Sequence, residues 1–259
     1  MKKLHLLVLI PVFSLLLCQV QAEDINGDVS LETINGGPAP KGLPSQAAWG
    51  YWKAAPTAWI MTHNGMVSQT KKGGGEIVFL GDSITAGWSK GGKAVWEQTY
   101  APLKAVNYGI GGDTTRQVIW RIEHGELDGF TPKLVVLMIG TNNLYADQNS
   151  GTNEEIADGV KKIIELIQAK SPTTKILLLG VLPRQTKVPW CDRIAALNLL
   201  LAPLANGTTV RYLDIDKDFL DSEDKAKAEL FNTDLVHPNA KGYEVISAAI
   251  LPTVTEMVK

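Results

Sequence analysis

The sequence predicts a parallel β-sheet covered by helices on both faces, and three observations carry that expectation. Short apolar runs alternate along the chain with longer segments of helical periodicity. The runs are almost continuously apolar, as suits strands buried on both sides. Glycine or polar residues follow the runs on their carboxyl sides, the edge where open α/β sheets bind ligands. No internal repeat and no second zone of composition interrupts the series, so a single α/β domain is expected.

The elements follow in order. A helix is predicted from Pro56 to Lys72, with Trp59, Ile60, His63 and Val67 at helical spacing and Gly73-Gly74-Gly75 as its stop. Strands are predicted at Ile77–Leu80, Ala105–Tyr108, Leu134–Ile139, Lys175–Val181 and Val210–Ile215. The clearest helix runs from Asn153 to Lys170, opening with acids, closing on Lys170 and stopped by Pro172. A last helix is expected to start at Pro238 and run through "NAKGYEVISAAIL".

The chain has 259 residues, 45% of them hydrophobic and 20% charged, with a formal net charge of −2. That near-neutral balance excludes nucleic acid as the main partner, because phosphate binding needs a basic excess. The first 22 residues read as a secretory signal: Lys2 and Lys3, an apolar stretch from Leu4 to Leu17, and Val20-Gln21-Ala22 before the cut. A lipoprotein signal on Cys18 is disfavoured, since Leu17 stands where a small residue is wanted. The apolar stretch is also short for a retained membrane span. The expected location is therefore periplasmic or secreted, with no stable membrane insertion after cleavage. Residues 23–55 are rich in Gly, Pro and Asn and read as an N-terminal extension, which leaves 56–259 as the folded domain. Cleavage leaves Cys191 as the sole cysteine, so no internal disulfide forms. Cys191 has no histidine nearby in sequence and is read as packing.

At the strand ends stand Gly81-Asp82-Ser83, "GIGGDTT" (109–115), "GTNN" (140–143) and "TDLVHP" (233–238). His237 has Asp234 three residues before it, a spacing that lets the carboxylate accept the Nδ1 proton and leaves Nε2 as a base. His63 and His124 are read as structural or surface residues. Ser83 at a strand-to-helix junction is either a helix N-cap or a nucleophile whose own N–H faces a developing oxyanion. Gly111 or Gly112 can supply a second backbone donor, and Asn142 a side-chain donor. Each residue alone has an ordinary structural reading; their conjunction at one sheet edge points to acyl transfer through serine. The competing patterns fail. "GIGGDTT" has Thr114 where a dinucleotide fingerprint needs its third glycine, and "SQTK" (68–71) lacks the companion S-D-N and K-T-G motifs. Thr85 breaks G-x-S-x-G, and no Cys/His or carboxylate cluster has metal spacing.

These residues resemble the blocks of the GDSL esterases, also called SGNH hydrolases. Ser83 matches the first block, a glycine of "GIGGDTT" the second, Asn142 the third, and Asp234 with His237 the last. A longer stretch, from about Trp59 to Leu251, is similar to the catalytic subunits of the intracellular platelet-activating-factor acetylhydrolases. It includes "WEQTYAPLKAVNYGIGGDTTRQVIWRIEHGEL" and "LLLGVLPR". The resemblance implies a flavodoxin-like three-layer α/β/α sandwich with a central parallel sheet of about five strands. It implies ester hydrolysis through a Ser83–His237–Asp234 triad with no metal and no cofactor. It selects Gly112, beside Ser83 N–H and Asn142, for the oxyanion hole, and implies a homodimer that no sequence feature demonstrates. An acyl pocket near Ile84, Thr141 and Val236 is implied, and its compact side chains suggest a short acyl group such as acetyl. Asn143 stands where many members of the family carry Asp. The export signal departs from the intracellular enzymes, so an acetylated carbohydrate or other extracellular ester is the expected substrate. A lipid esterase, an acyltransferase using the same triad and a non-catalytic glycan-binding protein remain the alternatives.

Overall fold

The computed structural model describes residues 56–145, 151–184 and 190–259. The expected signal segment, Cys18 and the expected extension lie outside the described residues. Helix α1 (Pro56–Lys71) leads into β1 (Ile77–Gly81), then the single-turn helix α2 (Ser83–Ala86) and, after a run of short helical turns, β2 (Ala105–Gly109). Next come α3 (Thr115–Arg121), β3 (Leu134–Met138), α4 (Thr141–Tyr145), α5 (Asn153–Lys170), β4 (Lys175–Leu179), α6 (Trp190–Leu201), β5 (Val210–Leu213) and α7 (Asp216–Phe219). Helix α8 (Ala240–Met257) closes the fold.

All four strand pairings are parallel, in the order β2-β1-β3-β4-β5. The strands therefore fan out from β1, and the chain reverses direction across the sheet between β1 and its neighbours β2 and β3. That reversal makes a crevice at the carboxyl ends of β1 and β3. Successive strand residues feed two separate cores, as the two-residue period of a strand requires. Val78, Leu80, Val135, Leu137, Ile176 and Leu178 face one layer, with α1, α3, α5 and α6. Ile77, Phe79, Leu134, Val136, Leu177 and Leu179 face the other, with Trp88, Tyr100 and α8. The fold is a three-layer α/β/α sandwich, as expected.

Helix α5 shows why local sequence suffices for some elements. Thr152 and Glu155 form a reciprocal capping box, and Ile156, Val160, Ile163, Ile164 and Ile167 recur on one buried face. Each such isoleucine contributes about 2–3 kcal/mol on burial. On the opposite layer, Phe79 sits edge-on to Trp88, Trp96 and Tyr100, with centroids 4.9–5.9 Å apart.

Boundaries differ from expectation in instructive places. Strands β3, β4 and β5 stop one or two residues early; at Gly140, whose φ is 132°, the backbone has already turned out of the sheet. The last helix does not start at Pro238 but at Ala240, because Asn239 is the cap. Asn239 Oδ1 accepts Gly242 N–H at 3.2 Å, while Nδ2 donates to Phe231 O and Glu229 O at 2.8 and 2.9 Å. One amide thus caps the helix and pins the loop that carries His237.

Candidate active site

The strand β1 runs into Gly81 because nothing larger fits. A Cβ there would lie 2.3 Å from Met138 O and 2.3 Å from Thr85 Oγ1. The next residue, Asp82, caps α2, its Oδ1 accepting Ile84 N–H at 2.9 Å. The two readings of Ser83 separate here: the cap is Asp82, and Ser83 occupies the first helical position with its hydroxyl not engaged in capping. Tyr243 of α8 donates its hydroxyl to Ile84 O at 2.6 Å, so the turn is held from both ends.

Ser83 Oγ lies 2.8 Å from His237 Nε2, and His237 Nδ1 lies 2.7 Å from Asp234 Oδ2. Residues 154 positions apart in sequence meet in hydrogen-bond range. The other oxygen, Asp234 Oδ1, accepts the main-chain N–H of Val236 and of His237, both at 2.9 Å. Closing that loop requires Leu235 at φ 53°, a left-handed conformation rare outside glycine and asparagine. Burial pushes the Asp234 carboxyl upward, but the two main-chain donors and the imidazole outweigh it and hold the group below its usual range. Asp234 is therefore an ionised acceptor, which fixes the Nδ1–H tautomer and leaves Nε2 able to take a proton from Ser83.

The candidate donors come from the β2–α3 loop and the start of α4. A methyl built on Gly111 would stand 3.7 Å from Ser83 Cβ, which sets the β2–α3 loop beside Ser83. Asp113 N–H bonds to Ile110 O at 3.3 Å, and Gly112 has φ 80°, the value the third position of a type II turn demands. Asn142 at the start of α4 donates Nδ2 to Asp113 O at 2.8 Å. A side-chain amide has two hydrogens, so the second remains for a ligand oxygen. Asn143 ties α4 to α3, since its Oδ1 accepts Thr115 N–H at 3.1 Å and its Nδ2 donates to Thr115 Oγ1 at 3.0 Å. A carboxylate could accept the first bond but not make the second as a donor.

The residues expected to line an acyl pocket take different positions. Ile84 is buried in the α8-side core, Thr141 is buried with its carbonyl 3.3 Å from Arg184 Nη1, and Val236 is half-buried. His63 is buried and His124 half-buried, each bonded to main chain, as structural histidines are. Cys191 is half-buried, donating to Arg184 O at 3.4 Å, with its thiol pushed up by burial. Among the described residues, no group of three His, Cys, Asp or Glu side chains is disposed to hold a metal. No described helix is long and apolar enough to cross a membrane.

The sequence did not reveal a buried charge network behind the donors. Arg121 is fully buried; its Nε meets Asp113 Oδ2 at 2.8 Å and its Nη1 pairs with Glu126. Nη1 also reaches Tyr108 O, and Nη2 reaches Gly81 O, both at 3.2 Å. Burial raises the Asp113 carboxyl to about 7 against the pull of Arg121 and of the Trp59 N–H. The visible signal was charge inside an apolar stretch, Arg121 and Glu126 in "VIWRIEHGEL". Breaking a buried pair of this kind costs about 3–5 kcal/mol.

A three-layer sandwich with these groups at its sheet crevice defines a class of hydrolase that needs a serine hydroxyl, a histidine and fixed amide donors. Comparison with known proteins makes the class specific. The GDSL-like Lipase/Acylhydrolase family model matches residues 79–245, and the chain belongs to that family. It is a carboxylic ester hydrolase. The chain is 37% identical over 191 residues to the platelet-activating factor acetylhydrolase IB subunit alpha2 of Rattus norvegicus, covering 73% of this chain and 80% of that one. It is 33% identical over 216 residues to the alpha1 subunit of Bos taurus, covering 82% and 87%. An acetylxylan esterase of Geobacillus stearothermophilus superposes with a TM-score of 0.57 at 19% identity, over 70% of this chain and 94% of that one. At that identity the likeness speaks to the fold alone.

Proposed function

We propose that the protein is an exported serine esterase that removes short acyl groups, acetyl first among them, through a Ser83–His237–Asp234 triad. The continuous path of 2.8 and 2.7 Å from Ser83 Oγ through His237 to Asp234 is the observation that carries this reading. His237 Nε2 takes the Ser83 proton as Oγ attacks the ester carbonyl, and the ionised Asp234 stabilises the imidazolium. The negative charge of the tetrahedral intermediate is met by Ser83 N–H, Gly112 N–H and the second Asn142 hydrogen. The imidazolium then protonates the leaving alcohol. Water attacks the acyl-enzyme by the same path, giving its proton to His237, and Ser83 leaves re-protonated with release of the acid.

The acyl group is proposed to lie against Ile84, Thr141 and Val236, whose compact side chains favour acetyl. Residues 1–22 are proposed as an export signal and 23–55 as an extension ahead of the catalytic domain 56–259. On that basis the alcohol is proposed to be a carbohydrate or another extracellular ester; the activity for which the acetylxylan esterase neighbour is named is in keeping with it. The alternative is a lipid acetyl ester, as the names of the acetylhydrolase relatives suggest. A p-nitrophenyl ester series followed by acetylated sugars and an acetylated ether lipid tests the proposal. Ser83→Ala is expected to lower p-nitrophenyl acetate turnover by about 10³-fold or more while leaving the protein folded. Turnover that survives this change would remove Ser83 from the reaction.

A further inference from the structure

Helix α1 lies ahead of the segment that the family model matches, yet it reaches the loop carrying the proposed oxyanion donors. Trp59 Nε1 donates to Asp113 Oδ1 at 2.7 Å, and Arg121 Nε meets Asp113 Oδ2 at 2.8 Å. One carboxylate oxygen is hydrogen-bonded and the other lies in ion-pair contact with the guanidinium, in a side chain with no solvent exposure. The main chain of the same residue follows Gly112 directly, and its carbonyl receives Asn142 Nδ2 at 2.8 Å. Gly112 has no side chain to fix its own N–H, and its turn is closed by a long 3.3 Å bond. The rigidity of that N–H must come from its neighbour. Arg121 also touches Gly81 O, two residues before Ser83, so one guanidinium refers the nucleophile strand and the donor loop to each other.

We propose that Asp113, clamped between Trp59 and Arg121, is a positioning residue that fixes Gly112 N–H and the Asn142 amide relative to Ser83. Helix α1 thereby belongs to the support of the oxyanion hole. This rests on the esterase reading above and adds a part to it. A donor aimed in advance stabilises charge without reorganisation, and an ångström of slack in such a site can cost about 10²-fold in rate.

The test uses the full chain and two variants. Trp59→Phe keeps an aromatic ring against Trp120, whose centroid is 5.3 Å away, and removes the N–H donor together with part of the indole's bulk. Asp113→Asn keeps an acceptor for Trp59 and discharges the contact with Arg121. The readouts are kcat and KM for p-nitrophenyl acetate, and the affinity for phenylboronic acid, which forms a tetrahedral adduct on serine. For Trp59→Phe, kcat is expected to fall about tenfold or more with KM within about twofold of the parent. Boronate affinity should fall by the same factor as kcat/KM, while the acid limb of the pH profile stays in place because His237 and Asp234 are untouched. A variant with lowered thermal stability but unchanged kcat and boronate affinity would overturn the proposal, as would a fall in kcat with boronate affinity intact. If Asp113→Asn fails to fold, Trp59→Phe decides alone. A parent protein that hydrolyses no ester would overturn the esterase reading and this inference together. An active parent with an indifferent Trp59→Phe overturns the inference only.

Discussion

Asp234 and His237 form an exposed pair, with side chains 47% and 39% accessible, so their contact adds little to stability and its value lies in orientation. Asp234→Asn preserves the shape but allows the wrong imidazole tautomer; kcat is expected to fall by about two to four orders of magnitude with thermal stability nearly unchanged. Asn142→Ala removes one of the proposed oxyanion donors and should lower kcat by about 10² to 10³ with a small effect on KM, read by steady-state kinetics. Asp82 makes the opposite kind of prediction, in stability. Burial pushes its carboxyl up to about 7, against the pull of Ile84 N–H, His237 and Arg184. The folded chain keeps a proton there that the unfolded chain releases above about pH 4. Its stability contribution is full below that pH and is lost as pH rises towards 7. Thermal melts of Asp82→Asn against the parent should therefore shift in favour of the variant by about 5–10 °C between about pH 5 and pH 8. A difference that does not vary with pH would contradict the raised carboxyl.

The elements matter because each delivers one group to the sheet edge at a fixed distance. Strand β1 ends where Gly81 lets Met138 O and Thr85 Oγ1 approach, and α2 begins at once under the Asp82 cap. Gly81→Ala must push one of these contacts away. It is expected to destabilise the fold by about 1–3 kcal/mol and to reduce esterase turnover further than the loss of folded protein explains, as measured by melts and active-site titration. Helix α8 works from the other side: Asn239 caps it and ties down the His237 loop, while Tyr243 reaches across to Ile84 O. Ser83 and His237 are in this way referred to the same helix. The αL backbone of Leu235 closes the Asp234 turn and carries a cost of about 1–2 kcal/mol, which the two N–H bonds to Asp234 Oδ1 offset.

For the whole molecule, the strand order β2-β1-β3-β4-β5 puts the β1 and β3 ends at the reversal point, and Ser83, Gly112, Asn142 and His237 converge there. If Ile84, Thr141 and Val236 bound the acyl site, kcat/KM should fall at least about tenfold from acetyl to hexanoyl p-nitrophenyl esters. A flat or rising series would contradict that pocket. The sheet was legible because its strands are buried on both faces and read as unbroken apolar runs, and α5 because its cap and its isoleucine stripe are local. The Asp234–His237 spacing was legible for the same reason: both residues belong to one turn. What was not legible depends on side chains meeting across layers. Nothing local in Trp59, Asp113 or Arg121 says that they form one cluster, since 54 positions separate the first two. Helix α8 starts two residues beyond Pro238, a common first helical residue, because Asn239 has enough partners to hold the cap itself. All of the chemistry depends on Ser83 being the nucleophile, activated by His237. Labelling with diethyl p-nitrophenyl phosphate, followed by peptide mass mapping, tests this most directly. One phosphoryl group per chain on the peptide containing Ser83, formed much more slowly in His237→Ala and not at all in Ser83→Ala, is the predicted result. Labelling at another residue, or esterase turnover undiminished after Ser83 is fully labelled, would contradict it.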